Sequence, residues 1–403
     1  MVANTEIAVV GGGIVGASIA WQLASRGAGN VTVYEKSVIA AGASGRTGAL
    51  LRRHYTNEPE ARLAQLGWET YRDWENVVGG SCGYVPWPVI VTVATKGDYA
   101  SNIDHMRTNI AMQNRLGIDS RLISADELQH LQPHAYVGDV DYVSYEPESG
   151  YVDSIQATTS MIEAARGAGA TIREGVEVTA IHDVGGRITG ISTSEGEIAA
   201  DIVVCAAGPW STSLLSSAGI ELPVSTIRVQ IIIAQRPIEL VDPHFVYLDT
   251  VAGIFTRPWG PGRSLVGVAG GDQHDEVDPD TPDLFNDHAY PAKAIEAISR
   301  RIPAMRSARY LHGHAGLYDM SPDAHPVIGN AGLDGLYLAA GFSGAGFKKG
   351  PAVGIALAEL VLDGEARSAD LAPFALSRFE TDAWQRPWSE TEYRFDSDFG
   401  HGL

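Results

Sequence analysis

Three glycines near the beginning of the chain have the spacing of a phosphate-binding turn. Gly11, Gly13 and Gly16 follow a strand predicted from Glu6 to Val10 and open a segment with helical periodicity. The first glycine permits a tight turn, the second lets the backbone approach a pyrophosphate, and the third allows close packing of helix on strand. The helix N-terminus faces the phosphate charge, so this spacing predicts a dinucleotide site. The residues assigned to it are Gly11, Gly13, Ile14, Val15 and Gly16.

An acidic residue at the end of the next apolar run completes this pattern. Glu35 follows the run from 31 to 34, where a carboxylate can accept hydrogen bonds from a ribose diol. A carboxylate there disfavours a 2′-phosphate and therefore NADP. We assign Glu35 and the adjacent Lys36 to the nucleotide site. The alternative is a glycine turn in an unrelated α/β fold, and the pattern alone does not separate NAD from FAD.

A second glycine-rich segment lies late in the chain. The sequence GFSGAGF, residues 341–347, separates an apolar strand pattern from a helix expected at about 351–362. Such a loop presents backbone N–H groups and a helix N-terminus to an anion, whereas the alternative is a plain glycine-rich turn. The residues assigned to this second site are Gly341, Phe342, Ser343, Gly344, Gly346, Phe347 and Lys348.

The elements that position these residues are expected to form two interleaved domains. A chain of 403 residues is too long for one ordinary core and about right for two. The βαβ pattern at the start and the β-type runs RVQIIIA, GIFTRPW and RSLVGVAGG predict a mixed α/β fold. We predict a Rossmann-type dinucleotide-binding domain, a β-rich substrate domain and a C-terminal extension. Their respective limits are 1–80, 150–222 and 312–365; 83–149 and 223–311; and 366–403.

Composition excludes several classes of function. The net charge of −20 argues against binding to nucleic acid and disfavours anionic membranes. Cys82 and Cys205 are far apart, so neither a zinc site nor a disulfide framework is indicated, and no metal is expected. The sequence shows no basic segment before an apolar one at its start and no run of about 18 apolar residues. We therefore expect a cytoplasmic protein.

Five segments resemble, in the same order, the D-amino acid oxidase (DAO) family of FAD-dependent oxidoreductases, and most closely its sarcosine oxidase-like branch. The segments are GGGIVGASIAWQLASRG, VYEKSVIAAGASGRTGALLRRHY, VVCAAGPW, GLYDMSPDAHPVIG and GLYLAAGFSGAGFKKGPAVG. The resemblance covers nearly the whole chain up to about Leu362. It implies that the dinucleotide is FAD, and it is less specific for the substrate.

The resemblance also implies further contacts with FAD. Arg46 would lie near the pyrophosphate, where its charge could neutralise phosphate, and Gly208 would let the backbone approach the nucleotide. At the late glycine-rich loop, a positive dipole would favour the negative charge that develops on a reduced flavin. The residues carried over in this way are Ser44, Gly45, Arg46, Val178, Ala207, Gly208 and Trp210.

Three residues are implied by the resemblance to contact the substrate. Lys348 and Arg52 would hold its carboxylate with charge-assisted hydrogen bonds, and Tyr318 would lie beside it. Each has a structural alternative: Tyr318 could be a core residue, and Lys349 and Arg53 are adjacent cations. A register slip of one residue would move the role of Arg52 to Arg53.

Three departures from the family pattern refine the expectation. Monomeric sarcosine oxidases attach flavin to a cysteine at the position of Gly316, so we predict noncovalent FAD. They also carry a lysine that promotes reaction with oxygen, and the corresponding strand, SLVGVAGG, has none. This leaves oxygen and another electron acceptor both open. Glycine oxidase-like members have an arginine where this chain has Tyr318, so the carboxylate should not be bound in their manner.

The expected reaction is oxidation of a primary or secondary amine, N-methyl amines included, on an amino-acid-like carboxylated substrate. The resulting imine would hydrolyse in water. Two alternatives stay open: a dehydrogenase or flavin-binding subunit of a larger complex, and an NAD-dependent dehydrogenase. The aromatic tail from 381 to 403 is expected to pack on its own subunit or on a neighbour, as in a homo-oligomer or a complex.

Overall fold

The apolar residues of the first strand contribute to two hydrophobic clusters, one on each face of the strand. The computed structural model describes residues 5–240, 242–268 and 276–394, and in it the strand Glu6–Val10 is buried from its second residue onward. Ile7 and Val9 join one hydrophobic cluster, whereas Ala8 and Val10 join another on the opposite face. This is the pattern of a parallel strand that is covered on both sides.

The strands and α-helices of the described residues are numbered here in chain order. The strands are β1 (Glu6–Val10), β2 (Asn30–Glu35), β3 (Val85–Pro86), β4 (Val89–Thr92), β5 (Arg121–Ser124), β6 (Tyr142–Glu146), β7 (Gly150–Tyr151), β8 (Thr171–Glu174), β9 (Val178–Val184), β10 (Arg187–Thr193), β11 (Gly196–Ala199), β12 (Ile202–Cys205), β13 (Ser225–Gln235), β14 (Val246–Asp249), β15 (Ile254–Pro258), β16 (Arg263–Val268), β17 (Arg309–Met320), β18 (Val327–Asn330) and β19 (Leu336–Ala340). The α-helices are α1 (Ile14–Ser25), α2 (Ala43–Arg46), α3 (Glu58–Arg72), α4 (Trp74–Val77), α5 (Asn102–Arg115), α6 (Ala125–Leu131), α7 (Ser154–Gly167), α8 (Ser211–Ser217), α9 (Tyr290–Arg301) and α10 (Gly346–Asp363).

Six strands form a sheet in the order β18-β19-β12-β1-β2-β8. The strands from β19 to β8 pair in parallel, and β18 adds an antiparallel edge. Helices α1, α7 and α10 pack together over one face of this sheet. Parallel order places the carboxyl ends of β1, β2 and β12 at one edge, which is where open α/β sheets bind ligands.

The second large sheet has eight strands in the order β17-β13-β16-β15-β14-β4-β6-β5. All its neighbours are antiparallel except β14 and β4, and α9 packs on one face. Its first strand, β17, ends at Met320, which forms an isolated bridge with Phe342 beyond β19. This bridge brings the end of β17 to the glycine-rich loop of the six-stranded sheet.

The mixed α/β fold class is confirmed by these two sheets. The domain limits stay a prediction. The strands of the six-stranded sheet come from 6–35, 171–205 and 327–340, and those of the eight-stranded sheet from 89–146 and 225–320. Strand β17, which the predicted limits divide at residue 312, belongs as a whole to the eight-stranded sheet.

The expected start of the last long helix at Pro351 was wrong, because α10 begins at Gly346. A proline inside a helix removes one backbone N–H, and here the carbonyl that loses this donor belongs to Phe347. The hydroxyl of Tyr71 donates to that carbonyl at 2.8 Å and replaces the lost bond. Lys348 therefore lies in the first helical turn rather than in a loop.

The described part of the tail packs on its own chain. Trp388 contacts His325 with ring centroids 3.9 Å apart, and the Tyr393 hydroxyl lies 2.6 Å from Nε2 of His54. Phe395 and Phe399, which also belong to the aromatic tail, lie outside the described residues. Within 5–240, 242–268 and 276–394, none of the helices has the length and apolar character needed to cross a membrane.

Candidate active site

A cavity of about 600 Å³ opens at the carboxyl ends of β1, β2 and β12 and extends to the end of β17. Most of the residues assigned from the sequence line it. They are Gly11, Gly13, Ile14, Val15, Glu35, Lys36, Ser44, Arg46, Val178, Ala207, Gly208, Trp210, Tyr318, Phe342, Gly344, Gly346 and Phe347. Gly16, Gly45, Arg52, Gly341, Ser343 and Lys348 do not line this cavity.

The fingerprint glycines have no room for side chains. Gly11 has φ of +113°, and a Cβ added there would lie 2.4 Å from the Ala206 carbonyl oxygen. A Cβ on Gly13 would lie 2.9 Å from the hydroxyl of Ser44, which is part of the cavity wall. A Cβ on Gly16 would lie 2.1 Å from the Gly11 carbonyl oxygen, so Gly16 packs behind the turn.

The turn offers donors to an anion. The Ile14 N–H donates to Ser44 at 3.0 Å and the Gly12 N–H to Glu35 at 2.8 Å. Across the described chain, the Gly13 N–H and the guanidinium of Arg46 have no hydrogen-bond partner. Unpaired donors beside a helix N-terminus match a diphosphate, so the residues present fit the diphosphate of FAD.

Glu35 is held in place by two backbone donors. Its carboxylate accepts from the N–H of Gly12 at 2.8 Å and from the N–H of Ser37 at 2.9 Å, one on each oxygen. A carboxylate can accept about four hydrogen bonds, so both oxygens keep capacity for ribose hydroxyls. The assignment of Glu35 to a ribose diol stays a prediction.

Asp280, Lys36 and Trp210 form a cluster of polar contacts at the cavity, here called the Asp280 cluster, which the sequence analysis did not predict. Asp280 accepts hydrogen bonds from Lys36 at 2.7 Å and from the Trp210 indole at 2.6 Å, and Lys36 lies 4.1 Å above the Trp210 ring. The bond from Lys36 lowers the pKa of Asp280. The Pro- and Asp-rich composition around Asp280 was the only signal, and it did not indicate a contact with residues so distant in sequence.

We expect Asp280→Ala to release FAD about twofold to fivefold faster, because an exposed ion pair of this kind stabilises by up to about 1 kcal/mol. Release can be followed by the rise of flavin fluorescence after dilution of the FAD-loaded protein. Asp104→Ala is the matched control, since Asp104 pairs with Arg107 on an exposed helix face and does not line the cavity. Equal release rates in both variants would show that the Asp280 cluster does not retain FAD.

The glycine-rich loop turns sharply beside Tyr318. Gly341, Ser343 and Gly344 all have positive φ, and a Cβ on Gly344 would lie 2.5 Å from the Tyr318 ring. Ser343 donates its N–H to the Asp319 carbonyl at 2.9 Å, which ties the loop to β17. Gly341 and Ser343 therefore shape the turn from behind, while Gly344 faces the cavity.

Lys348 and Arg52, the two cations predicted to hold the substrate carboxylate, lie outside the lining of the cavity. Both are buried, and the pKa of Lys348 lies well below its usual value because of burial and the nearby charge of Arg52. Arg52 donates to the His54 carbonyl and stacks on Tyr55 at 4.1 Å. In the part of the chain that the structure describes, no hydrogen bond reaches Nζ of Lys348. Burial of two cations, one of which lowers the pKa of the other, would be offset by a bound anion.

The adjacent cations are used within the fold. Arg53 donates to Gln65 at 3.1 Å and lies 3.9 Å from Glu146, while its guanidinium stacks on Trp68. Lys349 is fully buried and pairs with Glu60. Of the two adjacent lysines, Lys349 is therefore the one with a carboxylate partner, and the roles of Arg52 and Lys348 toward a ligand stay predictions.

Tyr318 and Asp319 bring a phenol and a carboxyl group to the cavity. Burial raises the pKa of Tyr318 to about 12, and its hydroxyl has no hydrogen-bond partner in the described ranges. Burial also raises the pKa of Asp319 to about 6, and its Oδ2 is buried without a partner. The sequence analysis missed Asp319, although it directly follows Tyr318.

Gly316 packs against Arg46, because a Cβ added to Gly316 would lie 3.1 Å from Cβ of Arg46.

Comparisons with known proteins agree with this geometry. Residues 6–360 match the family described as FAD dependent oxidoreductase (DAO). The chain is 26% identical over 388 residues to sarcosine oxidase subunit beta of Arthrobacter sp., covering 93% of this chain and 91% of that one. It is 27% identical over 371 residues to 4-methylaminobutanoate oxidase (formaldehyde-forming) of Paenarthrobacter nicotinovorans, covering 90% of this chain and 44% of that one.

A solved structure of a similar protein has the same fold. L-proline dehydrogenase from P. horikoshii superposes with a TM-score of 0.83 at 29% sequence identity, covering 94% of this chain and 99% of that one. The match to the family spans most of the 403 residues and includes both glycine-rich segments. The chain therefore belongs to the DAO family of FAD-dependent oxidoreductases, and it is an FAD-dependent oxidoreductase of amino acids or amines.

Proposed function

We propose that this protein oxidises a primary or secondary amine, N-methyl amines included, on a substrate that carries a carboxylate. The observation that supports this most directly is the pair Arg52 and Lys348, two buried cations beside the FAD cavity. A carboxylate bound there would offset their mutual repulsion. It would also favour the charged form of Lys348, which burial and Arg52 disfavour.

In this proposal FAD and the residues near its cavity have separate roles in the reaction. Bound FAD supplies the chemistry, since its ring accepts a hydride equivalent from the amine. Arg52 and Lys348 hold the carboxylate and so fix the position of the carbon that bears the amine. Tyr318, whose pKa is raised to about 12, stays protonated at neutral pH and can donate a hydrogen bond to the substrate. The imine product hydrolyses in water without further help from the protein.

The names of similar proteins favour secondary amines. Sarcosine, 4-methylaminobutanoate and L-proline are each a secondary amine with a carboxylate, and they appear in the names of the proteins compared above. Primary amino acids remain in the proposal because glycine oxidase of Geobacillus kaustophilus is 24% identical to this chain over 385 residues.

A second candidate is a dehydrogenase, or a subunit of a larger complex, that passes electrons to an acceptor other than oxygen. Strand β16 supports it, because the residues Arg263–Val268 include no lysine. The comparison with a dehydrogenase and with a beta subunit points the same way. Gly316, in place of a cysteine, supports noncovalent FAD in both candidates.

The test is anaerobic reduction of the FAD-loaded protein by a panel of amines. We expect sarcosine, 4-methylaminobutanoate or L-proline to bleach the flavin absorbance, whereas dimethylamine and pyrrolidine, which lack a carboxylate, should not. Admission of air then separates the candidates, because slow recovery of absorbance indicates an acceptor other than oxygen. Acid precipitation should leave the flavin in the supernatant. If no carboxylated amine bleaches the flavin, the proposed function is wrong.

A further inference from the structure

Two buried arginines on the eight-stranded sheet have no carboxylate partner among the described residues. Arg257, at 5% exposure, donates to the carbonyls of Gly48 at 2.6 Å and Pro258 at 3.0 Å. Its guanidinium stacks 4.5 Å from the ring of Tyr151 and 4.4 Å from that of Trp259. Burial lowers the pKa of Arg257 to about 10.

The second arginine approaches the same tyrosine. Arg236, at 6% exposure, donates to the Arg263 carbonyl at 2.8 Å, and its Nε is buried without a partner. The charges of Arg257 and Arg236 both lower the pKa of Tyr151, although burial raises it more, and Arg236 is joined to the same sheet through the Arg263 carbonyl. The Tyr151 hydroxyl has no hydrogen bond to any described residue.

Other buried arginines of this chain have a carboxylate close by, which Arg257 and Arg236 lack among the described residues. Arg301 is paired with Asp249 at 2.6 Å and with Asp139 at 2.8 Å, and Arg53 lies beside Glu146. The carboxylate that acts on Arg257 is Asp153, which is exposed and caps helix α7 through the Gln156 N–H. A buried charge without a close counter-charge is unfavourable, so an anion from outside would find a ready site.

The arginine cluster lies alongside the segment that carries Arg52. Thr47 lines the FAD cavity, Gly48 accepts the bond from Arg257, and Leu50 forms an isolated bridge with Tyr151. Four residues of extended chain span at most about 14 Å, so Gly48 and Arg52 are no farther apart than that. The two groups of cations therefore flank one short segment of the chain, residues 48–52.

We propose that Arg257, Arg236 and Tyr151 form a second anion site, which takes the second carboxylate of a dicarboxylic amine while Arg52 and Lys348 hold the first. This inference rests on the proposed function and narrows its substrate class.

The test uses dicarboxylates that cannot be oxidised. Glutarate and succinate are titrated into the FAD-loaded protein by calorimetry, and butyrate and propionate serve as the matched monocarboxylates. We expect the dicarboxylates to bind at least tenfold more tightly. Arg257→Gln should abolish this preference, and Arg236→Gln and Tyr151→Phe should reduce it several-fold. Monocarboxylate affinity should stay unchanged in all three variants.

Arg300→Gln is the control, since Arg300 is exposed on α9 and its replacement makes the same change in net charge. If Arg257→Gln fails to fold, the other two variants decide, because neither removes the bond to Gly48. Equal affinity of the wild type for both ligand classes, or a preference that survives in all folded variants, overturns this inference and leaves the proposed function standing. If no carboxylate binds at all, the proposed function falls and the second anion site with it.

Discussion

Lys348→Met should lower kcat/KM for a carboxylated amine by about 100-fold to 1,000-fold, mainly through KM. Loss of one partner of a buried charged contact commonly costs about 2 to 5 kcal/mol, or about 30-fold to 5,000-fold, and the expected loss lies in the middle of that range. The fold should tolerate the change, because the pKa of Lys348 is already lowered by burial and by Arg52, and the methionine keeps the apolar stem. Steady-state kinetics with the best amine of the panel, together with thermal unfolding, measures both effects.

Lys349→Met provides the contrast at the next position. Lys349 is fully buried and paired with Glu60, so its replacement should lower stability more than it changes KM. Pyrrolidine, which lacks a carboxylate, should fail to bleach the flavin in Lys348→Met as in the wild type. A KM for the carboxylated amine that stays at the wild-type value would remove Lys348 from the site.

The nucleotide cradle could be predicted because short stretches of sequence determine it. The glycine spacing that marks the turn lies within six residues, although the clashes that exclude a Cβ at two of its three glycines come from Ala206 and Ser44. Glu35 follows directly from the end of β2. The FAD cofactor and the fold class were confirmed, whereas the roles of the substrate residues stay predictions.

The parts that could not be predicted depend on contacts between distant residues. Asp280 and Lys36 are 244 positions apart, and Glu60 and Lys349 are 289 positions apart. The sequence alone could not decide between Arg52 and Arg53, because adjacent residues of an extended segment point in opposite directions. The structure shows that Arg53 contacts Glu146 and Trp68, whereas the role of Arg52 toward the substrate stays a prediction. The start of α10 was hidden for the same reason, since Tyr71 satisfies the carbonyl that Pro351 leaves open.

Glu60→Gln should be the most destabilising of the substitutions considered, by about 3 to 5 kcal/mol. Glu60 is buried in the first turn of α3, accepts from the Lys349 ammonium, and lies 2.8 Å from Nδ1 of His325. Glutamine keeps the shape but leaves the buried ammonium without a counter-charge. Urea unfolding of the FAD-loaded protein measures the loss.

Glu58→Gln, an exposed position in the same helical turn, is the matched control and should change the free energy of unfolding by no more than about 0.5 kcal/mol. The pH dependence gives a second, independent check. Burial raises the pKa of Glu60, but the charges of Lys349 and His325 outweigh it, so the pKa in the folded protein is below that in the unfolded chain. The carboxylate therefore stabilises the fold above the unfolded pKa of about 4.3, and this contribution is lost as the pH falls. The difference between wild type and Glu60→Gln should hold from about pH 8 to pH 5.5 and shrink below about pH 4.3. A difference that does not depend on pH would mean that shape, rather than charge, makes Glu60 important behind the active site.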